Sequence, residues 1–104
     1  MNQIICSDAL TALKNIDDKS VDIVLTSPPY NFDMQYDEHD DKSDALKYID
    51  TLVNIFRECK RTLKDGGRLI INIQPNYKDY FPSHHYLTTE LVKSGLIWRG
   101  EILW

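Results

Sequence analysis

VDIVLTSPPY, residues 21–30, is the stretch that decides the fold of this 104-residue chain. Its β-branched and mostly apolar first half predicts a strand over residues 21–25 that is buried on both faces. The two prolines end that strand, because neither can donate to a sheet ladder, and they hold Ser27 and Pro28 extended. The sequence therefore predicts a stiff tip at the carboxyl end of a strand, where open α/β sheets bind ligands.

The groups at this tip suit the exocyclic amine of a nucleic-acid base. That amine is a poor nucleophile, because its lone pair is delocalised into the ring. The Ser27 hydroxyl oxygen and the Pro28 carbonyl can accept hydrogen bonds from the two N–H groups of this amine and so orient its nitrogen towards a methyl donor. Tyr30 can stack on the face of an extruded base. Taken alone, these residues are equally typical of a Pro-Pro turn with Tyr30 as ordinary packing.

Composition indicates one small globular domain, with 42% hydrophobic residues. No apolar run approaches the about 20 residues that a membrane span needs, and the first residues lack a signal-like pattern. Cys6 and Cys59 match no metal spacing, which predicts buried, reduced thiols in a cytoplasmic protein. The net charge of −4 neither requires nor excludes DNA as a partner.

Apolar runs and helical spacing alternate along the rest of the chain. Besides residues 21–25, strands are predicted over 3–6, 68–74 and 96–104. Helices are predicted over 9–15, from Ser43 to a turn at Gly66-Gly67, and over 83–93 with Ser83 as its cap. Acidic residues 31–42 and aromatic-rich residues 75–82 are predicted loops. This alternation predicts one α/β domain with crossover helices.

Four segments in this order resemble the catalytic half of an amino-group DNA methyltransferase, of the permuted class that begins with the catalytic motif. They are CSDAL at 6–10, SVDIVLTSPPYN at 20–31, LKDGGRLIIN at 63–72 and RGEILW at 99–104. The resemblance implies a partial Rossmann-like methyltransferase fold, with a mostly parallel sheet and flanking helices. It also implies S-adenosylmethionine as cofactor and DNA as partner, and it leaves the biological role open between restriction-modification, a phage function and epigenetic marking.

The resemblance assigns Ser27, Pro28, Pro29 and Tyr30 to the family's catalytic tetrapeptide. Asp8 matches a position that lies near the cofactor in relatives, although it is also a good helix cap, and Ser27 is expected to contact the cofactor as well. Ser27 stands where many adenine-N6 enzymes have Asp, so family usage favours cytosine-N4 methylation, with adenine-N6 methylation as the alternative. No metal site is expected, because the histidines (His39, His84 and His85) are typical of surface or helix-end positions. Trp98 and Trp104 are expected in the core.

The family's Phe-x-Gly-x-Gly cofactor segment and its target-recognition region are not found in these 104 residues. We therefore expect residues 1–104 to form a single incomplete catalytic subdomain that is inactive alone. It would pair with a C-terminal half of the enzyme or associate with itself. Two alternatives remain: a protein or RNA methyltransferase with a related Asn-Pro-Pro-Tyr tip, and a non-catalytic α/β module that binds a partner.

Overall fold

The computed structural model describes residues 2–28, 41–76 and 80–103, with the side chains of the second range described from Ala45 onward. The elements in chain order are α1 (Ala9–Leu13), β1 (Val21–Thr26), α2 (Asp41–Thr62), β2 (Leu63–Ile71) and α3 (Ser83–Lys93). β1 and β2 pair in parallel, and helices flank them. This architecture confirms the predicted α/β fold class. No helix in the described ranges is long and apolar enough to cross a membrane.

The core lies between α2 and one face of the two-stranded sheet. α2 keeps the predicted three-and-four spacing, and its buried apolar positions are Ala45, Ile49, Leu52, Val53, Phe56 and Cys59. Leu87 and Leu91 of α3 complete this cluster, and Val24, Leu69 and Ile71 pack on it from the sheet. Full burial of one such side chain contributes about 1.5–3 kcal/mol. The amphipathic face of α2 therefore organises the hydrophobic interior.

α2 ends at Thr62, earlier than predicted, and β2 starts at once with Leu63. The carbonyl oxygens of Arg61 and Thr62 accept hydrogen bonds of 3.0 and 2.8 Å from the N–H groups of Lys19 and Ser20. These partners belong to the turn before β1, so the end of α2 is tied to the start of β1. The predicted helix end at Gly66-Gly67 was wrong, because contacts with this distant turn stop the helix.

The glycine pair instead forms a bulge inside β2. The register runs from Val21–Leu63 to Ile23–Arg68, so β2 advances five residues while β1 advances two. Gly66 has a φ of +81°, in the left-handed region that favours glycine. A Cβ on Gly67 would lie 2.8 Å from the Lys64 carbonyl oxygen and 3.2 Å from that of Asp22. Backbone crowding therefore requires glycine at position 67.

The predicted strands at the two ends of the chain are absent from residues 2–8 and 96–103. Ile4 is 99% exposed and Ile102 is 92% exposed, so neither apolar run is buried. A strand needs a hydrogen-bonding neighbour, and these segments do not pair with the sheet in the described ranges.

β1 is also not buried on both faces, since Leu25 is 72% exposed and Ile23 is exposed with it. No helix among the described residues covers that face of the sheet.

Two smaller predictions were also wrong. Ser83 is the first residue of α3 and is buried, and the cap position belongs to Pro82. Trp98 is exposed rather than part of the core. The same prediction for Trp104 falls on a residue outside the described ranges.

The two cysteines differ in their surroundings, although both thiols are free. Cys59 is buried as predicted, whereas the prediction of a buried Cys6 was wrong, because that residue is exposed. Burial, with a smaller effect of the Glu58 carboxylate, raises the pKa of the Cys59 thiol. This thiol therefore stays protonated at neutral pH.

Gly67→Ala is expected to lower the free energy of unfolding by about 1–3 kcal/mol, because the new methyl group meets backbone atoms that cannot rotate away. Urea unfolding followed by circular dichroism measures this loss. Gly66→Asn is the comparison variant: nothing lies within 4 Å of its Cβ position, so it carries only the smaller cost of placing asparagine at a φ of +81°. Equal losses for the two variants would contradict the close-approach explanation.

Candidate active site

The candidate site begins where β1 ends, at the predicted tip. Thr26 pairs with Ile71, and the Thr26 carbonyl oxygen accepts a hydrogen bond of 2.8 Å from the Asn72 N–H. Beyond Thr26, Ser27 is exposed and Pro28 is buried. The buried proline ring and the hydrogen bond to β2 together fix the backbone that carries Ser27. Pro29 and Tyr30, the other two predicted catalytic residues, lie outside the described residues.

Ser27 lies on the face of the sheet that the helices leave open. Side chains alternate between the two faces of a strand. Leu25 and Ile70 are partners in the parallel register, and both are exposed. We call the exposed residues Ile23, Leu25 and Ile70 the bare sheet face. Ser27 continues this face at its carboxyl end, so an apolar surface leads directly to a hydroxyl group.

Asp8 lies outside the sheet, at the N-cap of α1. Its Oδ2 accepts hydrogen bonds from the Thr11 backbone N–H at 3.2 Å and from the Thr11 hydroxyl at 3.3 Å. The side chain is exposed, and its described partners belong to its own helix. Asp8 is therefore confirmed as a helix cap, and its role in cofactor binding stays a prediction.

The glycines and the basic residues near the sheet serve the fold. The space beside Gly67 is taken by the chain's own carbonyl oxygens. Lys60 Nζ donates to the Ser94 carbonyl oxygen at 2.7 Å, and Lys64 pairs with Asp22 at 3.1 Å. The bulge at Gly66-Gly67 also lies towards the start of the two strands, away from the Ser27 tip, so this glycine pair does not line a cradle for S-adenosylmethionine there. The glycine pair therefore does not supply a site for the whole cofactor.

The segment after β2 returns to α3 through a short bridge. Asn76 and Phe81 exchange backbone hydrogen bonds of 2.9 and 3.0 Å. Phe81 is buried and stacks on Tyr86, with ring centroids 4.6 Å apart and an angle of 8° between the rings. This bridge joins the segment after β2 to the residue pair that precedes α3.

The two adjacent histidines of α3 pack on each other, with ring centroids 3.8 Å apart. Burial and the neighbouring His85 lower the pKa of His84, and the Glu101 carboxylate opposes this shift. His39 lies outside the described residues. Across residues 2–28, 41–76 and 80–103, no three His, Cys, Asp or Glu side chains are grouped as metal ligands.

Asn72 is a polar residue that we did not predict for this site. It follows the apolar run of β2 just as Ser27 follows that of β1, and its side chain is exposed. Polar residues that directly follow two neighbouring strands can meet at one edge of a parallel sheet, but the sequence alone does not show that β1 and β2 are neighbours. Only the pairing register shows that Asn72 lies next to the tip.

Residues 21–104 match the family model described as DNA methylase. The type II methyltransferase M.HpaI of Haemophilus parainfluenzae is 37% identical over 102 residues, which are 98% of this chain and 31% of that protein. The DNA adenine methyltransferase YhdJ of Escherichia coli is 34% identical over 99 residues, 94% of this chain and 33% of that protein.

A solved structure described as a DNA modification methylase, from Thermus thermophilus, has a TM-score of 0.69 at 29% identity. The match covers 93% of this chain and 47% of that one. The chain thus spans about a third of the two curated relatives and just under half of the solved protein. With its matching sequence, parallel strand pair and Ser-Pro-Pro-Tyr segment, the chain belongs to the N6 and N4 DNA methylase family.

Proposed function

We propose that the polypeptide containing this chain transfers a methyl group from S-adenosylmethionine to an exocyclic amine of a DNA base. Cytosine-N4 is the favoured target and adenine-N6 the second candidate. The observation that carries the proposal is the Ser27-Pro28 tip at the carboxyl end of β1, within a chain of the DNA methylase family. Adenine-N6 is retained as a candidate because one of the relatives is named as an adenine methyltransferase.

In the proposed reaction, the tip positions the amine and does not act as a strong base. The Ser27 oxygen and the Pro28 carbonyl accept hydrogen bonds from the two N–H groups of the amine. These two bonds direct the nitrogen lone pair out of the plane of the base. Tyr30 stacks on the base and keeps it extruded. The methylated nitrogen loses one proton to water, because a serine hydroxyl is a poor acceptor of a full proton. Rate acceleration therefore comes from alignment.

When bound, S-adenosylmethionine would supply the electrophilic methyl group and would leave as the thioether S-adenosylhomocysteine. Asp8 and Ser27 are proposed to lie at the edge of its binding site. The main contacts with the cofactor would come from other parts of the polypeptide, because the glycine pair of β2 does not line a cofactor site at the tip. Relatives two to three times as long have room for such parts.

The complete polypeptide is expected to methylate mixed-sequence plasmid DNA with S-adenosylmethionine carrying a labelled methyl group. Mass spectrometry of the digested nucleosides identifies the product, and N4-methylcytosine is the expected one. N6-methyladenine would replace the first target with the second. Label found in neither nucleoside, but in RNA or protein offered in parallel, would contradict the proposal.

Ser27→Ala is expected to lower the single-turnover methyl-transfer rate by about 10-fold or more while DNA affinity stays nearly unchanged, because one amine acceptor is lost. Tyr30→Ala should instead weaken DNA binding through lost stacking, worth about 1–3 kcal/mol per base. Rapid-quench kinetics and DNA titrations separate the two effects. Thr89→Ala removes an exposed hydroxyl on α3 and serves as control. A full rate for Ser27→Ala would rule out the amine-holding role.

We also propose that the bare sheet face is covered in the working protein by the rest of the polypeptide or by a second copy of this chain. Leu25 and Ile70 expose apolar surface side by side. A two-stranded sheet also offers unpaired backbone groups along its edges, which favour pairing with another strand. The core described here covers only the opposite face of the sheet, and that asymmetry supports the proposal.

Residues 1–104 alone are expected to self-associate at tens of micromolar, because the bare sheet face stays exposed to water. Size-exclusion chromatography with light scattering gives the mass in solution. Leu25→Glu with Ile70→Lys should shift the chain towards monomer. Val92→Glu changes an exposed apolar residue of α3 and should not. A monodisperse monomer with a cooperative melt, before any substitution, would refute this expectation.

A further inference from the structure

The register of the sheet places Asn72 beside Ser27. Thr26 pairs with Ile71, so one further step along both strands brings Ser27 level with Asn72. The hydrogen bond of 2.8 Å from the Asn72 N–H to the Thr26 carbonyl oxygen holds the strands together up to this point. Neighbouring strands lie about 4.8 Å apart. The two residues therefore stand at adjacent positions on the carboxyl edge of the sheet.

Their side chains also share one face. Ile70 and Asn72 are two residues apart in β2 and its extension, as are Leu25 and Ser27 in β1, and all four are exposed. The residues between them, Ile71 and Thr26, are partly buried, as strand alternation requires. The amide of Asn72 and the hydroxyl of Ser27 thus emerge side by side at the end of the bare sheet face.

The Watson–Crick edge of the target base matches this pair of groups. In both cytosine and adenine, the exocyclic amine is a donor and the adjacent ring nitrogen is an acceptor. Ser27 and the Pro28 carbonyl can satisfy the amine, but proline has no N–H to offer the ring nitrogen. The Asn72 side chain carries two N–H donors. It supplies the complementary group one strand away.

We propose that Asn72 contacts the extruded base, donating a hydrogen bond from its side-chain amide to the ring nitrogen next to the target amine (N3 of cytosine or N1 of adenine). This inference rests on the proposed function and adds a specific residue to that site. If hydrogen bonds to the amine are the only contacts of the base, its ring can still turn about the amine nitrogen. A second contact from the neighbouring strand fixes the plane of the ring and so the direction of the amine lone pair.

The test combines one protein change with one atom change in the DNA. The complete polypeptide is compared with Asn72→Asp, which keeps the size of the side chain and removes its N–H donors. Asn54→Ala removes an exposed amide from α2 and is the matched control. The substrate is a duplex containing the sequence methylated in the plasmid assay. A second duplex carries 3-deazacytosine or 1-deazaadenine at the target position, which replaces the ring nitrogen with C–H.

The unchanged protein should lose about 10-fold in kcat/KM on the deaza base. Asn72→Asp should lose about 10-fold or more on the natural base and little further on the deaza base, because the same hydrogen bond is already missing. This non-additivity is the expected result, and the cycle cancels any change in the reactivity of the amine itself. Asn54→Ala should retain the full 10-fold response, and thermal melting should be alike for all three proteins.

Independent losses that multiply, or an unchanged protein indifferent to the deaza base, would overturn the role of Asn72 while leaving the proposed function intact. If Asn72→Asp fails to fold, Asn72→Ala removes the same N–H donors and takes its place in the cycle. Failure of the unchanged protein to methylate the natural duplex would overturn the proposed function, and this inference with it.

Discussion

The guanidinium of Arg61 holds together the segments from which the sheet starts. It donates to the carbonyl oxygens of Leu13 at 2.7 Å and Ile16 at 2.9 Å. It also pairs with the Asp18 and Glu58 carboxylates. These carbonyls end α1 and enter the turn before β1, whereas Arg61 belongs to the last turn of α2. One side chain thus brings the start of β1 to the point where α2 passes into β2. The hydrogen bonds that Arg61 donates to the Asp18 and Glu58 carboxylates raise its pKa, and a guanidinium keeps its charge at any physiological pH.

This constraint at one end of the sheet sets the geometry at the other end. Because both strands start together, at Val21 and Leu63, their lengths decide which residues meet at the carboxyl edge. β2 is longer, and the bulge at Gly66-Gly67 absorbs the difference before the regular register begins. With the bulge in place, Ser27 and Asn72 stand level. The glycine pair therefore acts on the site from a distance, through register, and contacts neither side chain.

The parts of the fold that sequence predicted well are those with local causes. The spacing of apolar residues is enough to place α2, and the prolines after residue 27 are enough to end β1. The end of α2 was misplaced because Leu63 continues the helical spacing yet is buried in the strand. The bonds that stop the helix come from Lys19 and Ser20, more than forty residues earlier. The sequence around the end of α2 therefore does not predict these hydrogen-bond partners.

The same reasoning explains the end strands and Asn72. An apolar run such as residues 96–103 has strand composition, but composition cannot state whether a neighbouring strand is there to pair with it. Asn72 was missed for the converse reason. Its own surroundings in sequence are ordinary, and its position matters only through pairing with β1. Register is a property of two segments at once, so it becomes visible only when both are placed.

A serine tip makes these positional constraints more important than they would be beside a strong base. In the proposed reaction, Ser27 cannot take a full proton, so it lowers the barrier only by holding the amine in line with the methyl donor. Alignment of this kind speeds the reaction because it restricts the motion of the base relative to the methyl donor. The gain in rate disappears when the base can rotate. Contacts from one strand leave that rotation free, whereas contacts from two adjacent strands prevent it. The parallel pairing of β1 with β2, fixed at its start by Arg61, is thus the feature that would let so small a hydroxyl group serve as the centre of the proposed catalytic site.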